Sequence, residues 1–257
     1  MNVLEKILIQ KHNEVDKLSK TYVPTLGTRA SPMLSLKKNL ETPGASGIIA
    51  EFKRKSPSNP DINISAIAKD ILRDYETAGA SGVSVLTDEI FFGGKHEDIT
   101  VNAPWLNIPI LRKDFIIDKL QIFQSYDLGA SVILLIAAAL TPCQAERLAQ
   151  TARHLNMEVL LEIHEESELD RINEYITLVG VNNRNLKTME VSLETSLALA
   201  SKIPTHCTKI SESGIRTRED IFKLRAAGYL GFLIGETFMK QADPGASCKE
   251  FIKSLTL

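Results

Sequence analysis

Cysteine is scarce in this chain: Cys143, Cys207 and Cys248 are scattered, with no CxxC pair among them. A disulfide framework and a structural zinc site are therefore not expected, and reduced thiols in a cytoplasmic protein are the simplest account. Long apolar runs are missing too. The most apolar stretch, ASVILLIAAAL (130–140), is too short to span a bilayer. The N-terminal MNVLEKILIQKHNEVDK carries charges throughout and no apolar core, so a signal peptide is not expected. There is little net charge, −2 at pH 7, and hence no electrostatic case for nucleic acid or an anionic membrane as partner. HExxH, Walker A and GxGxxG are all absent, which leaves metal hydrolysis and nucleotide binding without a motif. No linker or composition shift divides the chain, so one domain over 1–257 is expected.

What remains is an ordinary globular composition, 44% hydrophobic and 24% charged over 257 residues. That length buries a large core and suits a single α/β barrel. Apolar residues from Asn2 to about Lys20 recur at helical spacing, and a short helix is expected at 34–40, so 1–47 reads as an N-terminal helical extension. A regular alternation follows. Short β-rich runs fall at 48–52, 83–86, 109–112, 132–136, 158–163, 178–182, 207–211 and 231–235. Amphipathic segments such as 64–80, 141–155 and 218–228 lie between them, with glycines in TAGA, DLGA and RAAG placed as stop signals. Crossovers this long imply parallel pairing, and near-continuous apolar strands imply a sheet buried on both faces. Eight such units favour a (β/α)8 barrel, with a doubly wound open sheet as the alternative.

The strand ends carry the chemistry. AEFKRKSPS leaves the first strand with Glu51 and Lys53 on one face, before Pro57 and Pro60 force a loop. Lys113 and Glu162 stand at the ends of the third and fifth strands, Thr87 at the second, Asn182 with Arg184 at the sixth, and Ser211 with Ser213 at the seventh. At the carboxyl mouth of a barrel these would converge: two carboxylates, two lysines and hydrogen-bonding neighbours. Burying four such charges is costly unless they pair or bind something. A surface pair or a helix cap would explain any one of them alone, but hardly four at the same end of four strands.

A second signal concerns phosphate. SESGIRTRED and LIGETF leave strands seven and eight; Gly214 and Gly235 let backbone approach a ligand, and Glu236 or Thr237 opens a short helix. Amides at these two exits form a recurrent barrel phosphate site, to which Ser56 would add a hydroxyl. Phe91-Phe92-Gly93-Gly94 reads as an aromatic wall or as plain loop packing. The histidines are dispersed, and His164 reads as structural, on the strand face opposite Glu162. Trp105 reads as core.

IIAEFKRKSPS, VLTDEIFFGG, ILRKDFI, LLEIH, GVNNRNLKT, ISESGI and FLIGETFM together resemble the indole-3-glycerol phosphate synthase family, over essentially the whole chain. The resemblance implies a tryptophan-pathway carboxy-lyase acting on 1-(2-carboxyphenylamino)-1-deoxyribulose 5-phosphate, without metal or cofactor. It implies that Lys113 is the general acid of ring closure and that Lys53 meets the substrate carboxylate and delivers a later proton. Glu51 and Glu162 would be acid/base carboxylates, with Asn182 orienting the site. Ser56, Gly214 and Gly235 match phosphate-site positions, Phe92 and Leu134 the apolar wall, and Glu236 is expected among the substrate-binding residues. Arg184, Glu212 and Ser213 match residues lining the family's site. The chain departs from the family at Asn59-Pro60, where a basic residue and glycine are usual; this bears on loop opening and product release. The family is often fused to a second barrel, and a chain ending at Leu257 is expected to be monofunctional. The implied partners are the phosphorylated substrate and contacts with other tryptophan-pathway enzymes, with no nucleic acid or membrane, and the implied state is a monomer or weak homo-oligomer. Another phosphate-binding barrel, such as an isomerase or a Schiff-base aldolase, and a non-catalytic scaffold barrel are the rival readings.

Overall fold

Strands separated by helix-length segments have connections long enough to pair side by side in one direction. In the computed structural model, which describes residues 2–27, 29, 31–186 and 188–255, they do so in sequence order. The strands are β1 (Ile48–Phe52), β2 (Gly82–Leu86), β3 (Ile110–Lys113), β4 (Val132–Ile136), β5 (Glu158–Ile163), β6 (Leu178–Asn182), β7 (Thr208–Glu212) and β8 (Gly231–Ile234). β8 returns to β1, with Ile48 opposite Phe232 and Ala50 opposite Ile234, and closes the barrel. This rules out the open doubly wound sheet. Two helices precede the barrel, α1 (Val3–Thr21) and α2 (Leu36–Glu41). Lys187, inside the GVNNRNLKT block, lies outside the described residues.

Three expectations need correction. The segment between β5 and β6 contains no α-helix, only a 3-10 turn at Glu166–Arg171; it is too short to cross a strand edge and also build an amphipathic helix. Of 64–80, only Ala68–Ala78 is helical. Trp105 is 76% exposed, standing on a turn whose amide donates to Asn102 O rather than in the core. The stop signals behave as expected: Gly79 and Gly129 end their helices with φ of 92° and 101°, which only glycine adopts freely.

Inward residues Ile49, Leu111, Val132, Leu134, Leu160, Leu178, Ile210 and Leu233 fill the barrel. Helix α2 plugs its amino-terminal end, driving Leu36 and Leu40 into that same cluster. A carboxylate at the foot of β5 seats the plug: Glu158 accepts the amides of Leu36 at 2.7 Å and Lys37 at 3.1 Å. It thereby satisfies donors that a helix start leaves free. With one end sealed by leucines, the polar chemistry is left to the other.

Candidate active site

The carboxyl ends of the strands open into a cavity of about 250 Å³. Strand parity aims Glu51 and Lys53 into it from β1 and its exit. Lys113 enters from β3, Glu162 from β5, Asn182 from β6 and Glu212 from β7. Lys53 Nζ lies 2.7 Å from Glu51 Oε1. Lys113 Nζ bridges Glu162 at 2.8 Å and Glu212 at 3.1 Å. Asn182 Nδ2 donates to the other oxygen of Glu162 at 3.2 Å, and Asn182 Oδ1 accepts the Arg184 amide at 3.0 Å.

Two glycines make room for the carboxylates. A Cβ at position 180 would lie 2.2 Å from Glu212 Oε1, and one at position 235 would lie 2.3 Å from Glu51 Oε1. The third wall is apolar. Leu134 and Phe92 line the cavity with Phe115, the two rings 6.0 Å apart, and Val3, Leu4 and Ile7 of α1 roof it. On the remaining side Ser56, Ser213, Gly214, Gly235, Glu236 and Thr237 gather. Ser213 and Gly214 both hold positive φ, 67° and 80°. The first loop folds over through a tight turn in which Ser56 and Asn59 exchange backbone hydrogen bonds of 2.8 and 3.1 Å. Pro60 thus follows a turn already closed by Asn59. Every residue to which the family resemblance assigns a place in the site therefore borders this one cavity.

The burial of these charges sets their protonation. Burial pushes Lys113 down, but Glu162, Glu212 and Glu51 outweigh it and hold the ammonium well above the ordinary amine range. Burial would raise Glu162; Lys113 and His164, with hydrogen bonds from Lys113 and Asn182, bring it to about 2. Glu212 goes the other way. Its burial and the nearby Glu162 charge prevail over Lys113, and it rises to about 7. One cation shared by two buried carboxylates leaves one of them ready to keep a proton. Glu212 Oε1 is also buried without a hydrogen-bond donor.

Some strand-end residues face elsewhere. β7 runs one residue further than its sequence pattern suggests, so Glu212 takes the inward position and Ser211 turns outward. Ser211 Oγ lies 2.8 Å from Ser196 Oγ and accepts from Asn183 Nδ2 at 3.0 Å. Asn183, unremarked in the sequence beside Asn182, also donates to Ser213 O at 3.0 Å and accepts the Ser196 amide at 3.1 Å. It thereby fixes the turn that carries Gly214. Thr87 turns to Asp114 and Arg112. His164, just past β5, lies on the same side as Glu162 and not on the opposite face, as i and i+2 along extended backbone do, with Nε2 3.4 Å from Glu162 Oε1.

A further set of charges fastens the roof. Lys11 of α1 is almost fully buried and reaches Asp88 at 2.9 Å and Asp114 at 2.8 Å. Asp88 caps the helix Glu89–Phe92 by accepting the Phe91 amide, and Asp114 follows Lys113. Arg112 backs Asp114 at 3.1 Å and donates to His96, whose burial beside that guanidinium lowers it to about 4, so the ring accepts as a neutral imidazole. No sequence pattern flags Lys11, because a lysine on an amphipathic helix normally points to solvent. Among the described residues no group of three or more His, Cys, Asp or Glu is placed to hold a metal ion, and no helix is long and apolar enough to cross a membrane.

The fold and this mouth define a class: a (β/α)8-barrel enzyme whose site joins paired lysines and carboxylates to an apolar wall. Comparison with known proteins narrows it. A family model described as indole-3-glycerol phosphate synthase matches residues 4–251. The synthase of that name from Bacteroides thetaiotaomicron is 45% identical over 99% of both chains, and that of Polaromonas naphthalenivorans is 39% identical over 97% of this chain and 98% of its own. The chain belongs to the indole-3-glycerol phosphate synthase family, whose members are carboxy-lyases. Among solved structures, the tryptophan synthase alpha subunit of Legionella pneumophila superposes with a TM-score of 0.60 at 13% identity, covering 87% of this chain and 97% of that one. The 3-hexulose-6-phosphate synthase of Salmonella typhimurium gives 0.64 at 11% identity, covering 81% and 98%. At those identities the likeness is one of fold alone.

Proposed function

We propose that this chain converts 1-(2-carboxyphenylamino)-1-deoxyribulose 5-phosphate into indole-3-glycerol phosphate, CO2 and water, with Lys113 as general acid. The observation that carries this reading is the Lys113 ammonium, held charged between Glu162 and Glu212 at the mouth of the barrel. As the carboxylate-bearing ring carbon attacks the ribulose carbonyl, Lys113 gives its proton to the developing alkoxide. The C–CO2 bond then breaks, and its electrons flow toward the iminium nitrogen of the cyclised intermediate, so the substrate supplies its own sink. Dehydration follows. Lys53 or Glu51 returns a proton to the departing hydroxyl, and a carboxylate takes the proton whose loss completes the indole. Asn182 keeps Glu162 in register. The phosphate is assigned to Ser56, Gly214, Gly235 and the start of Glu236–Met239, and the aromatic ring to Phe92 and Leu134. Arg184 and Ser213 are assigned to the rim around the substrate.

A Schiff-base aldolase needs an amine made neutral by its surroundings, whereas those of Lys113 do the reverse. We read the protein as cytoplasmic, and as a monomer or weak homo-oligomer. The test is a fluorescence assay with the carboxyphenylamino substrate in EDTA. Indole-type emission matched by CO2 release is expected. In Lys113→Met, kcat should fall by at least ~10²–10⁴-fold while substrate still quenches or shifts protein fluorescence on binding. No turnover by the folded wild type, with or without added metal, would overturn the reaction; near-normal turnover of the variant would remove Lys113 from its role.

A further inference from the structure

Glu162 has a neighbour that the reaction as described leaves idle. His164 follows it at the top of β5, behind the residues that line the cavity, and its ion-pair contact with the site is to Glu162. Its side chain is nine-tenths buried, and each ring nitrogen faces a carboxylate: Nε2 lies 3.4 Å from Glu162 Oε1 and Nδ1 lies 3.6 Å from Glu168 Oε2. Neither nitrogen makes a hydrogen bond of ordinary geometry. Glu168 is itself fixed, because its carboxylate accepts the His164 amide at 2.6 Å. The 3-10 turn that replaces a helix between β5 and β6 brings Glu168 back to this point.

We propose that His164 is a positioning residue, an imidazolium clamped between Glu162 and Glu168 that holds Glu162 from the side opposite Lys113. The row Lys113, Glu162, His164, Glu168 then alternates in sign along its length. Glu162 Oε2 is committed to Lys113, and Oε1 to Asn182 and the imidazole. The charged groups facing the ring are Glu162 on its own strand, Glu168 on the following turn and Glu212 on β7; Lys113 on β3 stands beyond Glu162. All three that face it are acidic. Burial lowers the affinity of the ring for a proton, and attraction to Glu168 and Glu162 outweighs that, so the imidazole titrates above its ordinary 6.5. Above that pH the ring can donate to only one carboxylate, and Glu162 keeps Lys113 as its single cation.

The inference rests on Glu162 doing acid/base work, so its test has one arm that needs no turnover. Imidazole resonances of the intact protein, followed by nitrogen-correlated NMR, should show His164 titrating above 6.5. That signal should be missing in His164→Asn and should move down in Glu168→Gln. In kinetics, His164→Asn should lower kcat on the order of tenfold, as outer partners of a functional side chain do at metal sites. It should also erase the alkaline limb of the kcat profile assigned to the imidazole, and Glu168→Gln should shift that limb to lower pH. Titration of the His164 ring at or below 6.5 in the wild type, or an unchanged limb in His164→Asn, would overturn the clamp. The wild-type titration and Glu168→Gln decide the matter even where His164→Asn fails to fold. Full activity in Glu162→Gln would instead overturn the role of Glu162.

Discussion

Glu212 stands where a carboxylate is least comfortable: buried, next to Glu162, with one oxygen unpaired. Its proton affinity rises from 4.5 to about 7. For an acid raised on folding, the stabilising contribution is present below the unfolded value and is lost as pH rises through the folded one. Glu212→Gln should therefore unfold at a higher temperature than wild type at pH 8, with the gap closing by pH 5; an equal gap at both would show that the charge does not matter. Gly180 is the second residue whose effect runs through Glu212. An alanine there meets the far end of that flexible side chain, 2.2 Å away, so the carboxylate moves and the backbone stays. Gly180→Ala should keep its melting temperature within a few degrees yet lose about 10²-fold in kcat/KM, the order expected for a displacement of about 1 Å. Of these features, Glu51, Lys53, Lys113 and Glu162 were legible in the sequence because charges at apolar strand ends are conspicuous. Glu212 came only from resemblance: the strand pattern of CTKIS stops one residue early, and parity then gave Ser211 the inward place.

Among elements, α1 depends most on a single side chain. Asn2 and Glu5 cap its start reciprocally, but the helix is held to the barrel by Lys11 through Asp88 and Asp114. Removing the cation leaves Asp88 buried without a cation and Asp114 with Arg112 alone. Lys11→Met should cost about 3–5 kcal/mol in urea unfolding. Lys223→Met, which breaks an exposed pair with Glu194, should cost less than about 1 kcal/mol. Because Val3, Leu4 and Ile7 roof the cavity, the same Lys11 variant should raise KM. Equal losses for the two lysines would show that the buried pairing adds nothing. Periodicity revealed the helix but not its fastening, which joins residues far apart in sequence. The missing helix between β5 and β6 escaped for a different reason: regular alternation suggested one, and only the shortness of the segment opposed it.

At the scale of the molecule the titrating groups act against one another. Glu162, Asp114, Asp127 and Glu41 are all held below their ordinary values. Their contribution is full above about pH 4.5 and disappears as pH falls toward their folded values, about 2 for Glu162. Glu212 and His164 are raised, so theirs is present at low pH and is lost as pH climbs through about 7 for Glu212. The melting temperature should peak between about pH 4.5 and 6.5; a plateau extending to pH 9 would contradict this. The overall architecture was the most legible level, since eight apolar runs with crossovers between them leave few arrangements.

Closure through β1 and β8 has a consequence for the chain as it is made. Strand β1 emerges early, nearly all of it apolar and destined for burial, but one of its edges waits for Phe232 and Ile234. At ribosomal rates the ~180 intervening residues take roughly 10–40 s. For that interval the growing sheet offers an unpaired edge, the template on which strands of other chains associate. Newly made or diluted chains are thus most vulnerable before the last strand arrives, and refolding yield should rise as protein concentration falls.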